Sequence, residues 1–411
     1  MAKTTNGAQN DATAQPLANL LAPLLEIADH TEAGPLDTPT WRVLATRAVR
    51  ERLGALLHAA LQQTSRTDVP GDVQAMLAHV HCRAAAAALY QQQELAAILR
   101  WCAAADIPCI VLKGSALAVT LYADPALRPC GDLDLLFAPG AIPQVGEMLG
   151  ANGYVNRYGQ RAGRLPRATS EFHFSRCGPR PVIVEPHWHI TSNPYYVRRM
   201  PVAWFWQQTA TATIGGAAAW VLAPPAQFLH LVAHYYLHAQ GRHLLWSFDI
   251  ALLLARCAAT WDWDALAVQA ERFGLGLFAR TALIMAEREW GVAVPAVGAA
   301  ALNRTRSNYG ERVAVWAMAR PGAPPWVLWQ AVQTPSPRLR LHLLARLVLP
   351  SRAGVRRFWR GTERGRMARA YLWRILRLPA ELRGVWRQLW ALWRGAQDRV
   401  SCGESQTTSV R

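Results

Sequence analysis

The hydrophobic period of this chain changes twice, and those changes commit it to a mixed fold. Up to about Ala105 apolar residues recur at helical spacing, as in "DVQAMLAHVHCRAAAAALYQQQELAAILRWCAAADI". From Pro108 the pattern becomes short apolar runs of strand type: "CIVLK", the alternating "DLDLLF", "YVNRY", "SEFHFSR" and "PVIVEPHWHI". Helical stretches, "SALAVTLY" and "AIPQVGEMLGANG", lie between the first of them. After "TATIGGAAAWVLAPP" helical spacing returns. The predicted order is β-α-β-α-β-β-β over roughly 80 residues. The fold class expected is α+β: a small mixed β-sheet flanked by N-terminal helices and a C-terminal helical domain.

Breakers and composition set the expected boundaries. Residues 1–36 are polar and expected to be a disordered tail, 37–105 an N-terminal helical region, and 106–222 the α/β core. Residues 223–333 read as a helical domain and 334–411 as a basic helical tail rich in Arg and Trp, set off by "RPGAPPW" and "QTPSPR". A 52% hydrophobic content is ample for packed cores. The seven cysteines form no C-x-x-C pair, which argues against a zinc ribbon or disulfide framework and fits a reducing cytoplasm. No signal-peptide pattern and no apolar run of about 18 residues is seen, so a cytoplasmic location is expected.

The net charge of +17 is concentrated in the tail, where sixteen arginines between Arg338 and Arg399 face only Glu363, Glu381 and Asp398. Arg366, Arg369 and Arg377 group on one helix side, largely opposite Met367, Tyr371, Leu372 and Ile375. Trp386, Leu389, Trp390 and Trp393 form a similar stripe. Such helices suit an anionic membrane surface, RNA, or packing on the protein body. The sequence leaves all three open for residues 338–399.

The chemistry is expected elsewhere, in "VLKGSALAVTLYADPALRPCGDLDLLF". Asp132 and Asp134 lie two apart on a predicted strand, so both carboxylates share a face and repel unless a cation sits between them. Oxygen ligands of this kind suit Mg²⁺, which takes its remaining ligands from water and substrate phosphates. Glu185, on the apolar run "VIVEPHWHI", is the third acid, since an unpaired carboxylate there would be costly. Gly114 and Ser115 mark the step from strand into helix, where backbone N–H groups attract phosphate. Lys113 is one of only two lysines in the chain, a compact charge where every other fixed cation is arginine. "WDWD" supplies a control: Asp262 and Asp264 read as ordinary acids at a helix start.

That stretch, with "VEPHWHI" and "LHLVAHYYLHAQGRHLLWSFDIALLL", resembles the uncharacterised bacterial nucleotidyltransferase family of the DNA-polymerase-β-like superfamily, over residues 80–265. The resemblance implies a Gly-Ser turn holding the triphosphate (Gly114, Ser115), two metal-binding acids on one strand (Asp132, Asp134) and a third on a neighbour (Glu185). It implies transfer of a nucleoside monophosphate from an NTP to an unknown acceptor with two Mg²⁺ ions, Lys113 and Arg128 offsetting phosphate charge. The gap from Gly-Ser to the aspartates exceeds the superfamily's usual spacing, and the added loop carries Tyr122 and Arg128.

His230, His234 and His238 recur at four-residue steps, about 12 Å end to end, too far for one ion to hold all three. Three readings stand: metal binding by part of the row, a polar seam, or, as the resemblance implies, a helix face lining the nucleotide cleft through His234, with Arg242, His243 and Asp249. His187, His189 and His173 are each placed to touch the site or to pack in the core. Two rivals to the enzyme are a non-catalytic nucleotide- or partner-binding module and a membrane-surface or RNA adaptor acting through the tail.

Overall fold

The computed structural model describes residues 14–27, 34–64, 66–157, 169–177, 181–239, 241, 243–318 and 337–348, and isolated positions between 376 and 390. Among the described residues four helices precede the sheet: α1 (Ala14–Leu21), α2 (Thr38–Arg50), α3 (Gly54–Gln63) and the long α4 (Gly71–Ala104). α2 starts where a helix should: the Asp37 side chain accepts from the Thr40 N–H at 2.9 Å, with Pro39 in the first turn. α1 corrects the expectation of a disordered tail for its part of residues 1–36. Leu17, Leu20, Leu21, Leu24 and Leu25 are all buried, because "PLANLLAPLL" carries an apolar face that the rest of the core covers.

The sheet is built from β1 (Cys109–Val111), β2 (Leu133–Phe137), β3 (Val155–Asn156), β4 (Phe174–Arg176), β5 (Val182–His187), β6 (Thr209–Ile214) and β7 (Ala217–Leu222). Helices α5 (Lys113–Thr120) and α6 (Ile142–Ala151) lie among the early strands, and α7 (Pro194–Arg199) and α8 (Val202–Trp206) follow β5. The strand order is β3-β4-β5-β2-β1-β7-β6. β2 runs parallel to β5 and β1 parallel to β7, and the other pairings are antiparallel. The β6–β7 hairpin is an element for which the sequence reading assigned no strands. Its turn is Gly215-Gly216, with φ +54° and +77°, the left-handed pair that a two-residue hairpin loop demands. Gly215 also abuts α4, where a Cβ would lie 2.7 Å from the Gln92 carbonyl oxygen.

Strand alternation gives the sheet two apolar faces. Val111, Leu133, Leu135, Phe137 and Val184 pack with Leu95 and Ile98 of α4 and Val145 of α6. Ile110, Leu112, Leu136 and Leu222 turn the other way, into the helical layer. That layer comprises α9 (Pro224–Ala239), α10 (Leu244–Cys257), α11 (Trp263–Phe273), α12 (Gly276–Trp290), α13 (Ala296–Asn303) and α14 (Tyr309–Met318). Phe228, Phe248 and Phe278 are fully buried in it, each worth about 1.5–3 kcal/mol of transfer free energy. Asp262 caps α11 through the Ala265 N–H at 2.9 Å, as its place in "WDWD" suggested.

Glu311, fully buried on α14, accepts a hydrogen bond from the Leu277 N–H at the start of α12. Burial pushes its carboxyl up from 4.5 to about 7, against the pull of that bond and of Arg280. A raised folded-state pKa means the folded protein holds a proton that the unfolded chain releases. The stability it contributes is full below pH 4.5 and lost as pH rises through about 7. The whole effect is about 3 kcal/mol. Urea midpoints measured from pH 5 to pH 8 should therefore fall in the wild type, and Glu311→Gln should flatten that slope.

Past α14, α15 (Pro337–Val348) is a further helix. Arg366, Met367, Arg369, Tyr371, Leu372, Ile375, Arg377, Leu389 and Trp393, on which the membrane and RNA readings of the tail rest, lie outside the described residues. Trp386 and Trp390 are described and exposed. Among the described residues no helix is long and apolar enough to cross a membrane.

Candidate active site

The site forms where β1, β2 and β5 end against the helical layer. Parallel pairing sets Asp134 of β2 level with Glu185 of β5, so the two carboxylates project side by side. Asp132, one residue before β2, shares their face by the same alternation. Lys113 lies two residues past the end of β1, in a left-handed conformation (φ +49°) unusual for a residue other than glycine. Its ammonium donates to Asp134 Oδ1 at 2.7 Å.

His187, two residues past Glu185, is on the same face and brings its Nε2 to 2.8 Å from Asp134 Oδ1 and 3.7 Å from Glu185 Oε2. Its Nδ1 lies 3.2 Å from Glu171 Oε2. His173 Nδ1 stands 2.8 Å from the other oxygen of Glu185. Ligand atoms of Asp134, Glu185 and His187 all fall within 4.8 Å of one another, the one such metal-competent trio among the described residues. Asp132 stands outside that trio but lines the same cavity.

These contacts set the charges. Burial alone would raise the Asp134 carboxyl, but Lys113 and His187 hold it far below the usual carboxylate range. For His187, burial and the Lys113 charge pull down, yet the bonds to Asp134 and Glu185 lift the imidazole to about 9. Asp132 is pushed up to about 6 by burial and by the charges of Asp134 and Glu185. Concentrated negative charge is thus the organising feature of this wall, and two cations already lean on it.

The cavity in front of these groups has a volume of about 560 Å³. Lys113, Gly114 and Arg52 form its near corner, and His234, His238 and Trp246 of α9 and α10 its far wall. His234 packs on Trp246 at a ring separation of 4.0 Å, and His243 stacks on the same indole at 4.5 Å. Burial pulls all three α9 histidines down, His230 to about 3, so the ladder is neutral at pH 7. His230 is fully buried, and neither ring nitrogen has a hydrogen-bond partner among the described residues. His189 does not line the cavity, since β5 ends at His187 and the alternation ends with it.

Two expected site residues sit differently from their sequence reading. Helix α5 begins at Lys113 rather than after Gly114, and a helix turns about 100° per residue. Gly114 therefore lines the cavity while Ser115 faces a separate small recess beside Cys130. Arg128 reaches the cavity wall, but its guanidinium is forked onto Asp249, with Nε to Oδ1 at 2.8 Å and Nη2 to Oδ2 at 2.8 Å. Tyr122 donates to the same carboxylate at 2.6 Å. The added loop is thus pinned to α10, and Arg128's charge is balanced there. Gly114 is small for that loop's sake: a Cβ would sit 2.9 Å from Cys130 Sγ and 3.1 Å from Arg128 Nη1. Arg242 lies outside the described residues.

Sequence reading missed Glu171 and Trp246. Glu171 had a signal, because in "SEFHF" it alternates with His173 and so shares its face. Trp246 lacked one, its role depending on how α10 docks.

Residues 37–291 fit the family described as uncharacterised nucleotidyltransferase, and the chain belongs to that family. No curated protein matches the sequence. Among solved structures, an antigenic nucleotidyltransferase-like protein from Paracoccidioides brasiliensis is similar, at 14% identity and a TM-score of 0.33, covering 53% of this chain and 94% of that one.

Proposed function

We propose that the protein transfers a nucleoside monophosphate from an NTP to a small-molecule, peptide or protein acceptor in a reaction dependent on Mg²⁺. The observation that carries this reading is the side-by-side setting of Asp134 and Glu185, with Asp132 beside them, in the wall of a nucleotide-sized cavity. The donor set fits a divalent cation: hard carboxylate oxygens converge within a few ångströms, in a place that already attracts Lys113. Asp132, Asp134 and Glu185 would hold the metal, two ions being expected. Bound Mg²⁺ supplies a lowered pKa for the acceptor group and charge neutralisation on the leaving pyrophosphate.

The chain's own residues do the rest by position. Lys113, released from Asp134, swings a point charge toward the triphosphate. Gly114 lets phosphate approach the first turn of α5, whose free N–H groups favour anions. His234, with Trp246 behind it, lines the far wall against the nucleotide. The acceptor's nucleophile attacks the α-phosphorus, the bond to pyrophosphate breaks, and the acceptor's proton departs. Arg128 serves by keeping its loop in place over Gly114. Incubation with each α-labelled NTP, Mg²⁺ and cell extract tests the reading. Wild type should label an acceptor and the double variant Asp132→Ala/Asp134→Ala should not; equal labelling by both overturns it.

A further inference from the structure

We infer that His187 is a direct metal ligand through Nε2, held in place by Glu171, and that this nitrogen donor gives the site a preference for Mn²⁺ over Mg²⁺. The inference rests on the metal-dependent reading above and deepens it. Three observations carry it. The first is direction: Nε2 points between the two carboxylates, 2.8 Å from Asp134 Oδ1 and 3.7 Å from Glu185 Oε2. Any ion gripped by those oxygens meets that nitrogen.

The second is the backing of the ring. Glu171 and His187 face each other across an isolated antiparallel bridge. The flanking bonds are Phe172 N–H to the Pro186 carbonyl at 3.1 Å and Trp188 N–H to the Ser170 carbonyl at 2.9 Å. That arrangement makes Glu171 and His187 a non-hydrogen-bonded pair, the type whose side chains lie closest. Glu171 Oε2 then stands 3.2 Å from Nδ1. Without a metal the ring carries both protons; an ion between the carboxylates would displace the one on Nε2, while the Glu171 carboxylate holds the one on Nδ1, the tautomer that presents Nε2 to a metal.

The third is rigidity. The His187 side chain is 3% exposed, so it has no solvent-facing rotamer to retreat to. Carboxylates joined by an imidazole are a different donor set from carboxylates alone. Magnesium prefers oxygen alone, whereas imidazole nitrogen favours ions further along the first-row series. Of the two ions compared, Mn²⁺ tolerates a nitrogen donor better than Mg²⁺, so the imidazole tips the site toward it.

The test uses the full chain loaded with Mn²⁺ and examined by pulsed electron paramagnetic resonance, which reads nitrogen bound to the ion without any need for turnover. The wild type should show ¹⁴N modulation from a coordinated imidazole. His187→Asn should abolish it, while His173→Ala, beside Glu185 but outside the trio, should keep it. Glu171→Gln should retain the modulation and weaken Mn²⁺ binding by about 10–100-fold, the usual cost of losing such a backing group. In competition titrations His187→Asp should bring the Mn²⁺ and Mg²⁺ affinities closer together. Bound Mn²⁺ with no nitrogen coupling, or coupling that survives His187→Asn and vanishes in His173→Ala, overturns the inference and leaves nucleotidyl transfer standing. No divalent cation bound and no transfer overturns both.

Discussion

Asp134→Asn is expected to lower label transfer by more than about 100-fold, beyond the 10–100-fold that loss of a supporting group around a metal costs. The reason is that three demands meet on one carboxylate. It is a ligand of the trio with Glu185 and His187, it holds the Lys113 ammonium at 2.7 Å, and it fixes the imidazole of His187 at 2.8 Å. Asparagine keeps the shape but removes the charge, so turnover and metal affinity should fall, and the buried Lys113 and His187 cations lose their counter-charge, a change that costs about 3–5 kcal/mol. Asp134→Ala is expected to do more. It removes the acceptor of both hydrogen bonds as well as the charge. Asp132→Asn should be milder on stability, because Asp132 lies outside the trio, with Lys113 and His187 bonded to Asp134 instead. Thermal melts and label transfer, run side by side on the three variants, separate the effects. Wild-type stability in both Asp134→Asn and Asp134→Ala would count against the buried-charge argument.

Legibility in the sequence followed the range of the interaction. Asp132, Asp134 and Lys113 could be read because strand alternation and the strand-to-helix step are local, and Glu185 because an acid on an apolar run needs a reason. Their convergence depends on β2 lying beside β5, which the order of elements suggests but no residue states. The β6–β7 hairpin escaped notice although Gly215-Gly216 is a fair turn signal, since its strands are mostly alanine and threonine. Tertiary packing on α4 and pairing with β1 make those residues strands. Ser115 was misplaced by a shift of helix start, and a fraction of a turn is enough to aim a side chain at another wall. Glu171 meets His187 only because the β4–β5 register continues past the end of β4, through Phe174 opposite Val184, to that pair. Asp249 lies 121 residues from Arg128, and nothing in either neighbourhood names the other.

That last pair makes the largest stability prediction. Arg128 and Asp249 are both buried, and Asp249 accepts from Arg128 Nε, Arg128 Nη2 and the Tyr122 hydroxyl. A buried ion pair contributes little beyond what apolar residues of similar size would give, because desolvation of two charges offsets their attraction. Removing one partner is another matter. Asp249→Ala would strand a guanidinium that cannot shed its proton and a phenol with no acceptor, and should destabilise by about 3–5 kcal/mol. Arg128→Met strands the carboxylate instead and should cost a similar amount. The double variant Arg128→Met/Asp249→Leu should recover most of the loss, as neither charge is left behind. Urea unfolding of the four proteins closes this cycle, read from the midpoint at unchanged slope. Losses that simply add would mean that the two groups act independently and that the loop is not pinned by their pairing.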